Sequence, residues 1–279
     1  MAFDWRELGA TPPSDLVEAR LQLHYAAQIV SSVGFTFVSA KPDWSHTSLE
    51  WSAELNALAS RATAGEKPYR AALIFPSFEL ALLDGDSVPV ARCALKGRNV
   101  DGGYAWLAGA IADYQVRPLD KELFRPEHEL PPYLGAEGDP FPFAPRPAFA
   151  ELANWYAAGA NLLAEIRAAE ENASPLVVWP HHFDMATLIT LSGEGESATT
   201  IGVGLSPGDG SYAEPYWYVS PWPTPETEDR PALEGGGNWH TEGFTAAVLP
   251  ASRMNKSGAA PTRAFLRSAL AACRKLLLV

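Results

Sequence analysis

The chain has 279 residues, of which 47% are hydrophobic, and a formal net charge of −12. That supplies one large core or two of about 140 residues, while the scattered basic residues exclude the positive footprint that nucleic-acid binding requires. No apolar run is long enough to span a bilayer, and the start MAFDWRELGATPPSDL lacks the basic and apolar regions of a signal peptide, so we expect a cytoplasmic protein with no membrane partner.

Met1 to Ser14 is expected to form a surface arm whose end is docked by Trp5. Asp15 is placed to cap a helix in which Leu16, Ala19, Leu23, Ala26, Ala27 and Val30 recur at helical spacing, ending near Gly34. Phe35 to Ser39 reads as a short strand, Lys41-Pro42-Asp43 as a turn, and Ser45 to Ser52 as an alternating strand. Tyr69 to Leu83 is rich in strand formers, with Pro76 predicting a bulge or an edge. Asp84-Gly85-Asp86 is a hairpin turn before a strand over Pro89 to Lys96, and a helix follows from Asp101 to Tyr114.

Arg117 to Pro147 is rich in proline, acids and aromatics, so it cannot hold regular structure for long. It should still be ordered, because Phe124, Tyr133, Phe141 and Phe143 need apolar partners. A long helix is predicted from Pro147 to Ala169, then the stretch SPLVVWPHHFDMATLITL from Ser174 to Leu191. Strands are predicted at Ser197 to Leu205, Tyr216 to Trp222 and Thr241 to Leu249, and a closing helix at Thr262 to Leu278. Cys93 and Cys273 sit in apolar contexts, which argues for core positions and against a disulfide framework or a Cys-rich zinc site.

Both halves read helix, strands, helix. The expected class is therefore α+β: two similar modules, each an antiparallel sheet with helices, packed together and open to the reading of an internal duplication. The boundaries are 1–116 for the first module, 117–146 for a proline-rich crossing segment and 147–279 for the second.

Three segments read as strands that place a histidine near an acid on one face: His46 with Glu50, His182 with Asp184, and His240 with Glu242. Imidazole and carboxylate two residues apart on a strand suit zinc, iron or manganese, with His182, Asp184 and His240 as ligands. The bland alternative is a set of histidines bonded to backbone, Tyr or Trp groups. A metal-free alternative makes His182 a general base. His181, facing away from His182, caps a turn or enters another pocket. Gly204-Leu205-Ser206-Pro207-Gly208 spells a nucleophile elbow, but Pro207 has no N–H for an oxyanion hole and a turn follows instead of a helix. Tyr212, Tyr216, Trp217, Tyr218, Trp222 and Trp239 crowd one interval, in part as core and in part as the wall of an aromatic cavity.

WPHHFDMATLI, GVGLSPGDGSYAEPYWYVSPWP and NWHTEGFTAAVLPAS, with LHYAAQIVSSVG and SHTSLEW, resemble a bacterial family of uncharacterised proteins. The resemblance spans most of the chain and brings no established activity. It implies that His46, His181, His182, Asp184, Asp209, Tyr212, Glu214, Tyr216 and His240 belong to family motifs.

The leading expectation is an enzyme acting on a small organic molecule, hydrolase or oxygenase-like, in a cleft between the modules. His182, Asp184, His240 and Glu242 would carry the chemistry or hold a divalent metal, and His46, His181, Asp209, Tyr212, Glu214, Tyr216 and Trp239 would bind the ligand. The alternative is a non-catalytic binding or scaffolding protein with an aromatic-lined pocket, for which a homodimer is one form.

Overall fold

The computed structural model describes residues 4–133, 138–142, 144–226, 229–254 and 258–277. These form four α-helices and two antiparallel sheets, as expected of the α+β class. Chain contacts divide it into a first unit, Asp15–Ala153 with Val177–Phe183, and a second, Met1–Ser14 with Asn154–Leu176 and Asp184–Val279. No helix among the described residues is long and apolar enough to cross a membrane.

In the first unit, α1 (Pro13–Phe37) runs past Gly34 and replaces the strand expected from Phe35. Gly34 is there for closeness and not to end the helix: a Cβ at this position would lie 2.4 Å from the His46 carbonyl oxygen. The absent side chain lets the turn after α1 press against the helix backbone. That turn takes up the first part of the stretch expected to be a strand; pairing begins at Leu49, which bridges Val178, and β1 covers Glu50–Ser52.

The first sheet is a meander of β1, β2 (Ala57–Ala59), β3 (Arg70–Ile74), β4 (Glu79–Leu83) and β5 (Pro89–Ala94), in that order. Pro76 lies in the turn between β3 and β4 and not within a strand; the one register shift comes later, between Leu82 and Leu83. α2 (Val100–Gln115) is capped by Asn99, whose Oδ1 accepts the Gly102 N–H at 2.8 Å, and buries Tyr104, Leu107 and Ile111.

The proline-rich segment is extended and ordered over its described part. Phe124 stacks on Phe35 at 5.2 Å, Tyr133 lies 5.3 Å from Tyr25, and Phe141 meets Phe78 edge to face. Phe143 lies outside the described residues. α3 (Arg146–Ala169) follows, with Phe149 stacked on Phe78 at 4.7 Å.

The second sheet runs in the order β10-β11-β9-β8-β7-β6. Its strands are β6 (Val177–Trp179), β7 (Asp184–Ser192), β8 (Thr199–Ser206), β9 (Tyr216–Trp222), β10 (Asn238–His240) and β11 (Ala246–Pro250). Of the strand expected over Thr241 to Leu249 only β11 forms, from Ala246; β10 precedes that stretch, and β11 inserts between β9 and β10. That step distinguishes this sheet from the plain meander of the first.

In the second unit, Leu205, Met185, Trp217 and Val219 alternate onto one buried face. α4 (Ala259–Leu277) lies along β9, where the Cys273 Sγ approaches the Val219 carbonyl. Trp5 stacks on Trp217 at 6.3 Å, which docks the N-terminal arm. Cys93 and Cys273 are both buried and unbridged, as expected.

Candidate functional site

The segment WPHHFD does not continue as a strand. β6 stops at Trp179 and residues 180–183 form a turn closed by the Phe183 N–H on the Trp179 carbonyl, 2.7 Å. Phe183 adopts φ 57°, a left-handed conformation uncommon for a bulky residue. The expectation that His182 and Asp184 share a strand face is therefore corrected: His182 is exposed in the turn, and Asp184 is the buried first residue of β7. His181 and His182 do not face opposite ways either, their rings lying 4.2 Å apart.

Helix α1 pins this turn. The Pro180 carbonyl accepts from His24 Nε2 at 2.9 Å and from Gln28 Nε2 at 2.7 Å, and His24 stacks on Phe183 at 5.0 Å with planes 9° apart. Since a carbonyl only accepts, His24 carries its proton on Nε2. Burial pushes this imidazole down to about 4, and Arg20 and His128 push the same way.

Around the pinned turn the first unit opens a cavity of about 440 Å³. Phe35 comes from the end of α1, Trp44 and Thr47 from the turn after it, and Trp179 and His181 from β6 and its turn. The proline-rich strap supplies Phe124, Pro126, Glu127 and His128 as the last wall.

The strap is held at several points. The Phe124 N–H donates to Thr36 Oγ1 at 2.9 Å, and Tyr25 donates to the Pro131 carbonyl at 2.9 Å. Arg125 pairs with Asp101 at 2.5 Å and lies 4.5 Å over the Tyr104 ring.

Trp44 is 61% exposed and sits at φ 58°, fixed by its N–H on the Lys41 carbonyl and by the Thr47 N–H and hydroxyl on its own carbonyl. A large aromatic held toward solvent in a strained backbone is where a ligand contact is expected.

Imidazoles cluster on one side of this cavity. His128 and His181 have ring centroids 5.5 Å apart, His181 and His182 4.2 Å, and His128 lies 6.0 Å from Phe35. Burial lowers His181 to about 4, with repulsion from His182 and His128 adding to it. His128 is lowered too, first by burial and then by His182. Its buried Nε2 has no hydrogen-bond partner among the described residues. His46 is buried against Phe35 and Trp44, and its Nδ1 accepts the Lys41 N–H at 3.1 Å. Glu50 is not its partner in a site: Arg70 holds one Glu50 oxygen at 2.5 Å and Arg61 the other.

The second unit arranges its expected residues differently. Tyr218 donates its hydroxyl to Asp184 Oδ2, and the ring lies flat across β8 because Gly204 is there; a Cβ would come within 2.5 Å of it. Burial, then the Asp184 charge, holds this phenol far above its ordinary range.

Asp209 accepts from the Ser211 and Tyr212 N–H groups and, at 2.5 Å, from the Tyr216 hydroxyl. His240 places Nε2 2.7 Å from the Glu242 carbonyl, so this nitrogen donates and Nδ1 accepts from the Tyr212 hydroxyl at 3.1 Å. Glu242 meets His240 through its backbone, and its side chain is exposed. Glu214 accepts from the Ser252 N–H and hydroxyl, and Trp239 donates to the Pro231 carbonyl. These bonds tie loops to strands. Ser206, in the elbow-like spelling, is buried and accepts the Gly208 N–H in a turn.

No group of three or more His, Cys, Asp or Glu that could hold a metal occurs among the described residues. The expected zinc, iron or manganese set of His182, Asp184 and His240 is thereby corrected: His182 is in a turn, Asp184 is bonded by Tyr218, and both His240 nitrogens are occupied.

No protein-family model, curated protein or solved structure matches this chain.

The geometry of the first unit therefore carries the functional argument. Of the residues expected to bind ligand, His181 lines this cavity, and His46 packs on two of its walls, Phe35 and Trp44. Phe35, Trp44, Phe124, His128 and Trp179 were not singled out by sequence reasoning. The available signal was an aromatic just after a Lys-Pro-Asp turn, and a Phe and His four apart in a segment that cannot bury them by regular packing.

Proposed function

We propose that this protein binds a small organic molecule in the cavity walled by Phe35, Trp44, Phe124 and Trp179. One observation carries the reading: about 440 Å³ of space lined by aromatic rings, with imidazoles as its convergent polar groups. That volume lies within the range of small-molecule sites, which are lined mainly by apolar and aromatic groups with a few polar ones. The bonds that fix Trp44 and the strap favour a preformed site, which lowers the ordering cost of binding.

The test is a fragment screen by thermal shift and tryptophan fluorescence on the wild type and on Trp44→Ala. Ligands at 100 times their Kd should stabilise the wild type by about 2.7 kcal/mol. The variant should keep its fold and lose those hits. A screen whose hits act equally on both proteins would remove the proposal.

A catalytic reading is second, favoured by neutral imidazoles at the cavity wall, where His181 would accept a proton from a bound substrate. Turnover of a panel of aryl esters and amides, lost in His181→Asn, is its signature.

A further inference from the structure

Two imidazoles, His128 and His181, stand 5.5 Å apart in one wall of the cavity, and the exposed His182 lies 4.2 Å beyond His181. Such a cluster repels itself when charged, and no carboxylate is bonded to it among the described residues. The groups around it bear this out. His24, with Arg20 beside it, approaches His128 from α1, His46 belongs to the turn behind Trp44, and Glu127 comes from the strap. Glu127 is the one acid among the described lining residues, and it is exposed. The partners of His128, His181 and His182 among the described residues are rings, which do not neutralise a proton taken up.

The aromatic walls add the second half of the specificity. Trp44 and Phe124 are 61% and 52% exposed, apolar area that stays wet until something planar covers it.

From this juxtaposition we infer that the cavity takes an aromatic carboxylic acid, with its ring system against Trp44, Phe124 and Trp179 and its carboxylate on His128 and His181. The inference rests on the binding reading above and gives it a ligand class. The carboxylate is the counter-charge that lets one imidazole hold a proton, so binding takes up a proton from solvent. Burial keeps the empty pair neutral at pH 7, which makes that uptake measurable.

The experiment is isothermal titration of the full chain with 2-naphthoate, 2-naphthamide and 2-naphthylmethylammonium. Each titration is run in two buffers of different ionisation enthalpy, from pH 7.5 to 5.5. The acid should bind at least tenfold more tightly than the amide, with uptake approaching one proton and affinity rising up to about tenfold per pH unit as pH falls. The cation should bind most weakly. In His181→Asn the acid should lose more affinity than the amide, so that its advantage over the amide disappears. His128→Gln serves the same purpose if the first variant fails to give a wild-type thermal transition.

Equal affinity for acid and amide would overturn the carboxylate class and leave the cavity as a binding site. Preference for the acid without proton uptake would overturn the imidazolium contact. Absence of binding by all three probes at millimolar concentration would overturn both readings.

Discussion

His24 makes the stability of the first unit depend on pH in a way that can be worked from its surroundings. The ring is 5% exposed, stacked on Phe183 and bonded to the Pro180 carbonyl, with Arg20 nearby. Burial lowers it from 6.5 to about 4. At about 1.4 kcal/mol per pH unit the difference amounts to about 3 kcal/mol. The folded form prefers the neutral ring, so this contribution is complete above pH 6.5. It is lost as pH falls from 6.5 toward 4, where the unfolded chain binds a proton and the folded one does not. Below about 4 it changes no further. Against a typical net stability of about 5–15 kcal/mol, that is a large part.

Urea midpoints followed by tryptophan fluorescence at steps between pH 7.5 and 4 measure it. His24→Gln keeps a donor for Pro180 and removes the titration. It should start about 1–2 kcal/mol less stable at pH 7.5 through lost ring packing. It should then fall less steeply than the wild type, so that the two curves cross before pH 4. Parallel curves would refute the assignment of the buried ring as neutral.

Gly34→Ala should cost about 1–3 kcal/mol by overpacking, because its Cβ meets the His46 carbonyl at 2.4 Å and backbone must move; chemical denaturation reads this directly. Tyr218→Phe should destabilise by about 1–3 kcal/mol, since the buried Asp184 carboxylate loses the hydroxyl that donates to it, and a calorimetric melt would show it. Arg263→Ala removes both hydrogen bonds to Glu165 yet should change the urea midpoint by less than about 1 kcal/mol, because the pair is 42% and 52% exposed.

The pattern of apolar and β-branched residues was sufficient for the class and for most elements. β9 begins at Tyr216 and ends at Trp222 as read, because aromatic and Val residues there alternate between two well-defined faces. The failures have specific causes. Gly34 looks like a helix stop, but its role is set by the His46 carbonyl, a tertiary contact with no local sign. Ser45 to Ser52 alternates in polarity, yet turn hydrogen bonds from Thr47 and Ser48 hydroxyls to the Trp44 and Ser45 carbonyls curl its first half. Pro180 and the left-handed Phe183 break the extended run on which the His182 and Asp184 pairing depended. The cavity was partly legible in His181, which lines it, and in His46, which packs on its Phe35 and Trp44 walls. Its aromatic walls were not, because Phe124 and Trp44 become neighbours of Phe35 only when the strap crosses the end of α1.

The first unit is not continuous in sequence: after Ala153 the chain leaves it, and only Val177–Phe183 returns. During synthesis, then, α1, the meander, α2 and the strap all precede the seven residues that bear Trp179 and His181. Until those emerge, the Pro180 carbonyl that His24 and Gln28 hold does not yet exist, and two polar side chains on α1 wait without their acceptor. A fragment stopped at residue 153 would contain His128 but not Trp179 or His181, so the cavity is completed only late in chain growth.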